Sequence, residues 1–363
     1  MTQSYLRPTG FVDSPQRHEG ESLRLAGTML WFSQLEYIER DATSTRRHLL
    51  SVKKWPDFNA TLSDQDRERC AVLLERITAP RAALQMGSRT IRLDQPQVMG
   101  IVNATPDSFS DGGKNFDPEI AADAAFAMSK AGAAIIDVGG ESTRPGAPLV
   151  WEGDELARVE LLIRKLAGSG TAISIDTRKA SVMEGAVRAG AAMINDISAL
   201  IYDDRALDVA RTSGVPVVLM HAPSQSSNPH KDGNYKDVVY DVFDWLEQRV
   251  LAVEAAGLSR DKILVDPGIG FGKSLGENLS IINNLAIYHG LGCAMLFGAS
   301  RKRLIGALSN EAAAEDRLGG SVFLALKAVE QGAHIVRVHD AAETVQAIQV
   351  WRGLRDAALT ATI

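Results

Sequence analysis

The stretch that decides the fold spans residues 98–113 and reads Val-Met-Gly-Ile-Val-Asn-Ala-Thr-Pro-Asp-Ser-Phe-Ser-Asp-Gly-Gly. Its first five residues are apolar, and the apolar run stops at Asn103 in a loop of hydroxyl, amide, carboxylate and glycine groups. A buried strand that ends in such a loop is typical of parallel α/β folds, whose strand ends carry function. We therefore interpret residues 103–113 as a ligand-binding loop at a strand end.

Seven further apolar runs follow this one and alternate with amphipathic segments. The eight predicted strands are Val98–Asn103, Ala134–Val138, Ala172–Asp176, Ala192–Asn195, Pro216–Met220, Lys262–Asp266, Ala294–Phe297 and His334–His339. Helices are predicted between them, for example at Glu119–Ala131, Glu155–Leu166, Val238–Ala256 and Ala312–Gln331. Eight such units in about 260 residues match a (β/α)8 TIM barrel. A doubly wound open sheet has the same alternation, but the polar residues after the strands favour a barrel, which brings all strand ends to one mouth.

Residues 1–82 lack this alternation, and we predict a mostly helical N-terminal extension of unknown role. Its predicted helices are Glu36–Leu50 and Asp64–Ile77. The barrel domain is predicted to span residues 83–363. Residues Gly87–Leu93 alternate like a strand, which indicates a small hairpin that plugs the bottom of the barrel.

Composition and charge limit the possible partners and the compartment. The chain has 363 residues, a net charge of −6 and a pI near 5.7, which argue against nucleic acid as a partner. Cys70 and Cys293 are too few for a disulfide scaffold or a zinc site, so a reducing cytoplasm is expected. No run reaches the ~18 apolar residues of a membrane span, so no membrane partner is expected.

Eight motifs in chain order resemble those of dihydropteroate synthases, a family of pterin-binding TIM barrels. They are Met99–Asp111, Asp137–Gly146, Ser174–Thr177, Ile194–Ile197, Leu219–His221, Asp266–Lys273, Ser300–Lys302 and Arg337–Asp340. The resemblance implies condensation of 6-hydroxymethyl-7,8-dihydropterin diphosphate with p-aminobenzoate to 7,8-dihydropteroate and pyrophosphate in folate biosynthesis. It also implies a homodimeric sulfonamide target that uses Mg²⁺.

The resemblance assigns roles to residues at the strand ends. A pterin presents a guanidine-like edge of N–H donors, which suits buried acceptors and one lysine donor. The expected catalytic residues are Asp176, Asp266, Lys302, Asn195 and Asp111. The residues expected to bind the pterin diphosphate are Asn103, Thr143, Arg144, Asp176, Asn195, Met220, Asp266, Gly270, Phe271, Lys302, Arg337 and His339.

The second substrate and the metal are assigned in the same way. The residues expected around p-aminobenzoate are Phe109, Pro145, Phe271, Ser300 and Arg301, and Asn103 is the expected ligand of Mg²⁺. The family suggests a dissociative reaction in which Asp176 stabilises a pterin cation. Phe109 and Asp111 would lie on a loop that closes over the substrates, where Asp111 could pair with Arg144.

One loop departs from the expected pattern, because residues 222–230 lack the family's Met-Gln-Gly sequence, which leaves sulfonamide sensitivity open. Residues 268–274 resemble a phosphate-binding loop of nucleotide-triphosphate enzymes, but Pro267 stands where its first glycine belongs. We therefore reject nucleotide-triphosphate binding at this segment. Two other functions remain as alternatives: a barrel that transfers methyl groups from methyltetrahydrofolate to a corrinoid protein, and a pterin-binding protein without turnover.

Overall fold

The computed structural model describes residues 3–13, 15, 20–41, 43–105, 117–144, 146–223 and 228–360. The strands are β1 Gln3–Val12, β2 Leu23–Arg24, β3 Trp31–Arg40, β4 Thr45–Ser51, β5 Leu84–Met86, β6 Arg89–Ile91, β7 Gln97–Asn103, β8 Ile135–Gly139, β9 Ile173–Asp176, β10 Met193–Asp196, β11 Val217–Met220, β12 Ile263–Asp266, β13 Ala294–Phe297 and β14 Ile335–Val338. The α-helices are α1 Trp55–Asn59, α2 Asp64–Thr78, α3 Pro118–Ala131, α4 Glu152–Gly168, α5 Ala180–Ala189, α6 Ala206–Ser213, α7 Val238–Ala255, α8 Leu275–Asn283, α9 Arg303–Leu308, α10 Leu318–Val329 and α11 Ala341–Thr360. Short 3-10 helices lie at Val52–Lys54, Arg260–Lys262, Leu285–Leu291 and Ala314–Asp316.

Strands β7 to β14 form a closed, all-parallel barrel surrounded by helices. The last strand pairs with the first, with Val336 opposite Val98, and this pairing closes the barrel. The eight strands coincide with the eight predicted apolar runs to within two residues at each end. The TIM-barrel prediction is therefore confirmed, and the open-sheet alternative is wrong.

Helix α3 shows how local sequence sets the path from one strand to the next. The side chain of Asp117 accepts a hydrogen bond from the backbone N–H of Glu119, and Pro118 occupies the first turn, where its missing N–H costs nothing. Gly132 ends the helix with a φ of +110°, a conformation that favours glycine. The chain then turns directly into β8.

A hairpin closes the N-terminal end of the barrel. Strands β5 and β6 pair with each other, and the side chains of Leu84, Met86 and Ile91 are at most 5% exposed. They pack in one cluster with residues from the first half of the barrel strands, including Met99 and Ile135. The predicted plug at the barrel bottom is confirmed.

The prediction of a mostly helical extension is wrong, because the N-terminal region mixes strands and helices. Residues predicted as a helix at Glu36–Leu50 lie in the antiparallel strands β3 and β4. The buried residues of β3 are Phe32, Leu35, Tyr37 and Ile38, and they do not alternate strictly as in a regular half-buried strand. Pairing of β3 with β1 along its whole length overrides this local pattern. The second predicted helix is confirmed as α2.

The extension is attached to one side of the barrel through α7 and the 3-10 helix at 285–291. The Tyr5 hydroxyl donates to Asp244, 2.9 Å away, and Arg69 donates to both carboxylate oxygens of Glu247 at 2.7 and 2.8 Å. Leu73 of α2 is fully buried in the same core. The domain boundary at residue 82 stays a prediction. Within the described residues, no helix combines the length and the apolar character that a membrane crossing requires.

Candidate active site

The carboxyl ends of the barrel strands bring polar side chains to one mouth. Asn103 ends β7, Asp176 ends β9, Asp266 ends β12, and Arg337 is the penultimate residue of β14. All eight strands run in the same direction, so their carboxyl ends share one rim. These residues come from distant parts of the chain and meet only because the barrel closes.

Arg337 lies at the centre of a buried charge network. Its Nε donates to Asp137 Oδ2 at 2.6 Å, and its Nη2 donates to Asp176 Oδ2 at 2.7 Å. Asn195 Nδ2 donates to the same Asp137 oxygen at 3.0 Å. The network holds Asp176 and Asn195, two predicted pterin ligands, in fixed positions beside each other.

Asp137 is a site residue that the sequence reasoning missed. It is fully buried, and its Oδ1 has no hydrogen-bond partner among the described residues. A buried carboxylate oxygen without a donor is costly in a finished protein interior, so it marks a position where a bound molecule can donate. The available signal was an aspartate inside the apolar run Ala134–Val138.

The buried position of Asp176 favours the neutral form of its carboxyl group. Burial raises the pKa of Asp176 to about 7, Arg337 opposes this rise, and Asp137 adds to it. Burial also works against the charge of Arg337, but the neighbouring Asp137 and Asp176 outweigh it and raise the pKa of the guanidinium. Asp176 is therefore a carboxylate whose charge depends on its cationic partner.

Lys302 and Asp266 form the other side of the mouth. Lys302 donates to the backbone oxygen of Ile269, and its Nζ lies 4.6 Å from the centre of the Phe271 ring. Burial lowers the pKa of Lys302 to about 8, while Asp266 opposes the change. Burial raises the pKa of Asp266, which accepts a 2.7 Å hydrogen bond from the N–H of Gly268. A lysine donor and a carboxylate acceptor thus face one another across the sixth and seventh strand ends.

The glycine-rich segment after β12 is a tight turn against the fifth strand end. Gly268 has a φ of +71°, and a Cβ there would overlap the backbone oxygen of His221. Lys273 Nζ donates to the carbonyl oxygens of Gly268, Phe271 and His221 at 2.9, 3.1 and 3.3 Å. Burial lowers the pKa of Lys273 to about 7. This lysine binds backbone, which agrees with the rejection of a nucleotide-triphosphate loop.

Met220 and Phe271 form an apolar wall of the mouth. Both are buried, and they pack with Ile197 and Ala222 in a small cluster separate from the main core. Gly270 precedes Phe271 with a φ of +80°, a conformation that favours glycine. The wall offers a flat surface for a heterocycle or an arene.

Ser300 and His339 contact each other across the seventh and eighth strand ends. The Ser300 hydroxyl accepts from the N–H of His339 at 3.2 Å and lies 3.1 Å from its Nδ1. Burial and the nearby Arg337 lower the pKa of His339 to about 4, so the ring is neutral at physiological pH. Arg301 forms an ion pair with Asp340, which holds its guanidinium at the start of α11.

Comparison with known proteins assigns the family. A model of the pterin binding enzyme family matches residues 99–339. The dihydropteroate synthase of Escherichia coli (strain K12) is 44% identical over 262 residues, which make up 72% of this chain and 92% of that protein. The chain belongs to the dihydropteroate synthase family.

Solved dihydropteroate synthases share the fold as well as the sequence. A Xanthomonas albilineans dihydropteroate synthase with 4-aminobenzoic acid is 44% identical, with a TM-score of 0.72, and covers 76% of this chain and 98% of its own. The enzyme of the same organism in complex with 7,8-dihydropteroate is 42% identical, with a TM-score of 0.69, over 75% and 98% of the two chains. The N-terminal strands and α2 lie outside the range that the family model matches.

The second loop of the barrel, residues 140–151 between β8 and α4, is anchored by a buried lysine that the sequence reasoning did not single out. Lys179 Nζ donates to Glu141 at 2.8 Å, to Glu155 at 2.6 Å and to the backbone oxygen of Val150 at 2.6 Å. Glu155 also accepts from the hydroxyl of Thr177, the residue after Asp176, at 2.6 Å. The network ties the loop to the strand end that carries Asp176.

The anchored loop forms one side of a cavity of about 240 Å³. Thr143 and Arg144 line this cavity together with Asp176 and His230. The structure therefore brings both predicted loop residues to the mouth. Phe109, Asp111 and Pro145 lie outside the described residues.

Asn103 is the predicted metal ligand at the rim. Among the described residues, no group of three or more histidine, cysteine, aspartate or glutamate side chains could hold a metal ion. A single carboxamide oxygen suits Mg²⁺ when the ion takes its other ligands from a diphosphate and from water. The donor set of this site fits a cation that arrives with the substrate.

Proposed function

We propose that this enzyme condenses 6-hydroxymethyl-7,8-dihydropterin diphosphate with p-aminobenzoate and releases 7,8-dihydropteroate and pyrophosphate. The observation that carries the proposal is the network in which Arg337 joins Asp137 and Asp176 beside Asn195. It combines acceptors for the donor edge of a pterin with a fixed cation for a diphosphate. The complexes of the Xanthomonas albilineans relative with 4-aminobenzoic acid and with 7,8-dihydropteroate support the same pair of substrates.

The pterin binds at the base of the mouth. Asp176, Asn195 and Asp266 accept from its amino and ring N–H groups, and Lys302 donates to its carbonyl oxygen. Met220 and Phe271 pack against the ring. Each of these side chains is positioned by the barrel, so little conformational entropy is lost when the pterin binds.

The reaction is dissociative. The bond between the pterin methylene carbon and the diphosphate oxygen breaks first, and its electron pair leaves with pyrophosphate. The carboxylate of Asp176 stabilises the resulting cation electrostatically, and Arg337 opposes the burial that favours its neutral form. The lone pair of the arylamine nitrogen then forms the new carbon–nitrogen bond, and the nitrogen loses a proton to water or pyrophosphate. No side-chain nucleophile takes part.

Pyrophosphate is stabilised as a leaving group by cations and donors at the rim. Arg337, the neutral His339 and the second-loop residues Thr143 and Arg144 supply these contacts. The arylamine lies between Phe271 and Ser300, whose hydroxyl meets the carboxylate of p-aminobenzoate. Arg301 contributes positive charge near that carboxylate.

Mg²⁺ is the proposed metal. Asn103 would hold the ion, and the ion would supply positive charge to the diphosphate. Chelation of Mg²⁺ should weaken binding of the diphosphate substrate, measured by calorimetry, and leave binding of the free pterin alcohol unchanged. Equal loss for both ligands would contradict this role.

The proposed assembly is a homodimer through the outer face of α10 and α11. Phe323, Val350 and Leu354 are 65%, 62% and 68% exposed on these two adjacent helices, a large apolar surface for a monomer. Light scattering should give twice the chain mass, and Phe323→Glu should give a monomer. We place the enzyme in the cytoplasm, because both cysteines are free and buried.

Pyrophosphate release with both substrates present tests the proposed function. Release should equal the amount of dihydropteroate formed, and omission of either substrate should stop it. Folded protein that releases no pyrophosphate would rule the function out. Methyl transfer from methyltetrahydrofolate to a corrinoid acceptor would then identify the alternative enzyme, and pterin binding without either reaction would identify a binding protein.

A further inference from the structure

His230 lies in the loop that departs from the family pattern, and it reaches across the mouth of the barrel. Its ring stacks on that of Phe271, with centroids 4.7 Å apart and planes at 13°. Its Nε2 lies 2.6 Å from the backbone oxygen of Thr143, and its Nδ1 lies 3.3 Å from that of Gly270. One side chain of the fifth loop therefore contacts the second and sixth loops.

The hydrogen-bond distances show which imidazole nitrogen of His230 carries a proton. Carbonyl oxygens only accept, so the short contact of His230 with Thr143 requires an N–H on the imidazole. This proton lies on Nε2, which donates to the Thr143 oxygen at 2.6 Å. In the barrel, β8 and β11 are separated by β9 and β10, so this bond crosses the opening between non-adjacent strands.

The position of His230 limits the space next to the apolar wall. It lines the same cavity of about 240 Å³ as Thr143, Arg144 and Asp176. The imidazole of His230 covers one face of the Phe271 ring. It cannot move away without breaking its hydrogen bond to the backbone oxygen of Thr143. A substrate that enters beside Phe271 must fit within the boundary that the imidazole sets.

We propose that His230 is a specificity-determining residue that closes the arylamine pocket and excludes amines extended beyond the carboxylate of p-aminobenzoate. This inference rests on the proposed function, because it assumes that the arylamine binds beside Phe271. The imidazole ring excludes bulk by its volume, and its bond to Thr143 holds it in place. A substrate extended beyond that carboxylate would have to displace both the stacking on Phe271 and the bond to Thr143.

Three variants separate the volume of the ring from its hydrogen bond. His230→Ala removes both, His230→Gln keeps an N–H donor without the ring, and His230→Phe keeps the ring without the donor. The substrates compared are p-aminobenzoate and p-aminobenzoate extended by an amide-linked glutamate. Asp232→Ala, an exposed position in the same loop, is the matched control.

The expected result is a loss of discrimination in the variants without a ring. The ratio of kcat/KM for p-aminobenzoate to that for its glutamate amide should fall about tenfold in the alanine and glutamine variants. It should stay near the wild-type value in His230→Phe and Asp232→Ala. A wild-type ratio in a folded His230→Ala enzyme would overturn the proposal.

A binding measurement distinguishes failure of this inference from failure of the proposed function. Calorimetric titration of the two amines onto enzyme that holds inorganic pyrophosphate gives the same ratio without turnover. A wild-type enzyme that makes no dihydropteroate would contradict the proposed function. The ratio of dissociation constants for the two amines would still test whether His230 limits the size of the amine. An alanine variant that binds both amines in the wild-type ratio would refute the role of the imidazole.

Discussion

Substitution of Asp137 by asparagine should lower stability and also move the pH dependence of catalysis. Asp137 is fully buried and accepts from Arg337 and from Asn195 through one oxygen. Asparagine is nearly the same size and retains an oxygen acceptor, so the change removes charge with little change of volume. The two effects therefore report on the electrostatic role of this side chain.

The loss of stability follows from the geometry of the pair. Unit charges at 2.6 Å attract by about 6 kcal/mol at an effective dielectric of about 20, before the cost of desolvation is subtracted. Removal of one partner from a buried ion pair costs about 3–5 kcal/mol. Asp176 remains as a second partner of Arg337, so we expect the low end, about 3 kcal/mol. For a domain of this size, that loss lowers Tm by on the order of 5 °C.

The kinetic effect has a defined direction. Catalysis needs the ionised Asp176, so activity should fall as pH drops through its pKa of about 7. The charge of Asp137 is one cause of that raised pKa. Asparagine removes this charge and leaves Arg337 to Asp176 alone, so the pKa of Asp176 should fall. The acid limb of kcat/KM, which reports the free enzyme, should move to lower pH.

Urea unfolding and a profile of kcat/KM over pH 5–8 measure the two effects. Glu160→Gln is the matched control, because it removes a carboxylate from an exposed pair with Arg164 and should cost less than about 0.5 kcal/mol. An Asp137→Asn enzyme as stable as this control, or with an unmoved acid limb, would refute the electrostatic role.

Three further predictions follow from the site and from the extension. Asp176→Asn should lower kcat about 100-fold and change the dissociation constant of the pterin diphosphate far less, and equal losses would contradict its role towards the cation. The pKa of Lys302, lowered to about 8, predicts that kcat/KM falls as pH rises through that value, and Lys302→Arg should move this alkaline limb upward. Arg69→Met should cost about 1 kcal/mol in thermal unfolding by breaking the contact with Glu247, with kcat unchanged. Arg46→Met, on the exposed strand β4, should leave both stability and rate unchanged.

The barrel could be predicted because each of its strands is recognisable from a short stretch of sequence. Each strand is a short apolar run, and most of these runs end in, or are soon followed by, a polar residue such as Asp176, Asp266 or Lys302. Since parallel strands end at one rim, counting eight runs was sufficient to place these side chains together.

The rest depended on contacts between distant residues. Asp137 and Arg337 are 200 positions apart, and no local pattern links them. The buried residues of β3 do not alternate strictly, and the strand is fixed by its pairing with β1. His230 lies in a loop whose sequence departs from the family, so no motif indicated its contact with Thr143.

The hairpin that plugs the barrel has a consequence for the order of events. Leu84, Met86 and Ile91 close one end of the barrel, so ligands enter and leave at the carboxyl ends of the strands. The ligand that binds at the base must enter before the one that binds above it. The pterin therefore binds first and the arylamine second. The joined product must leave through the same opening.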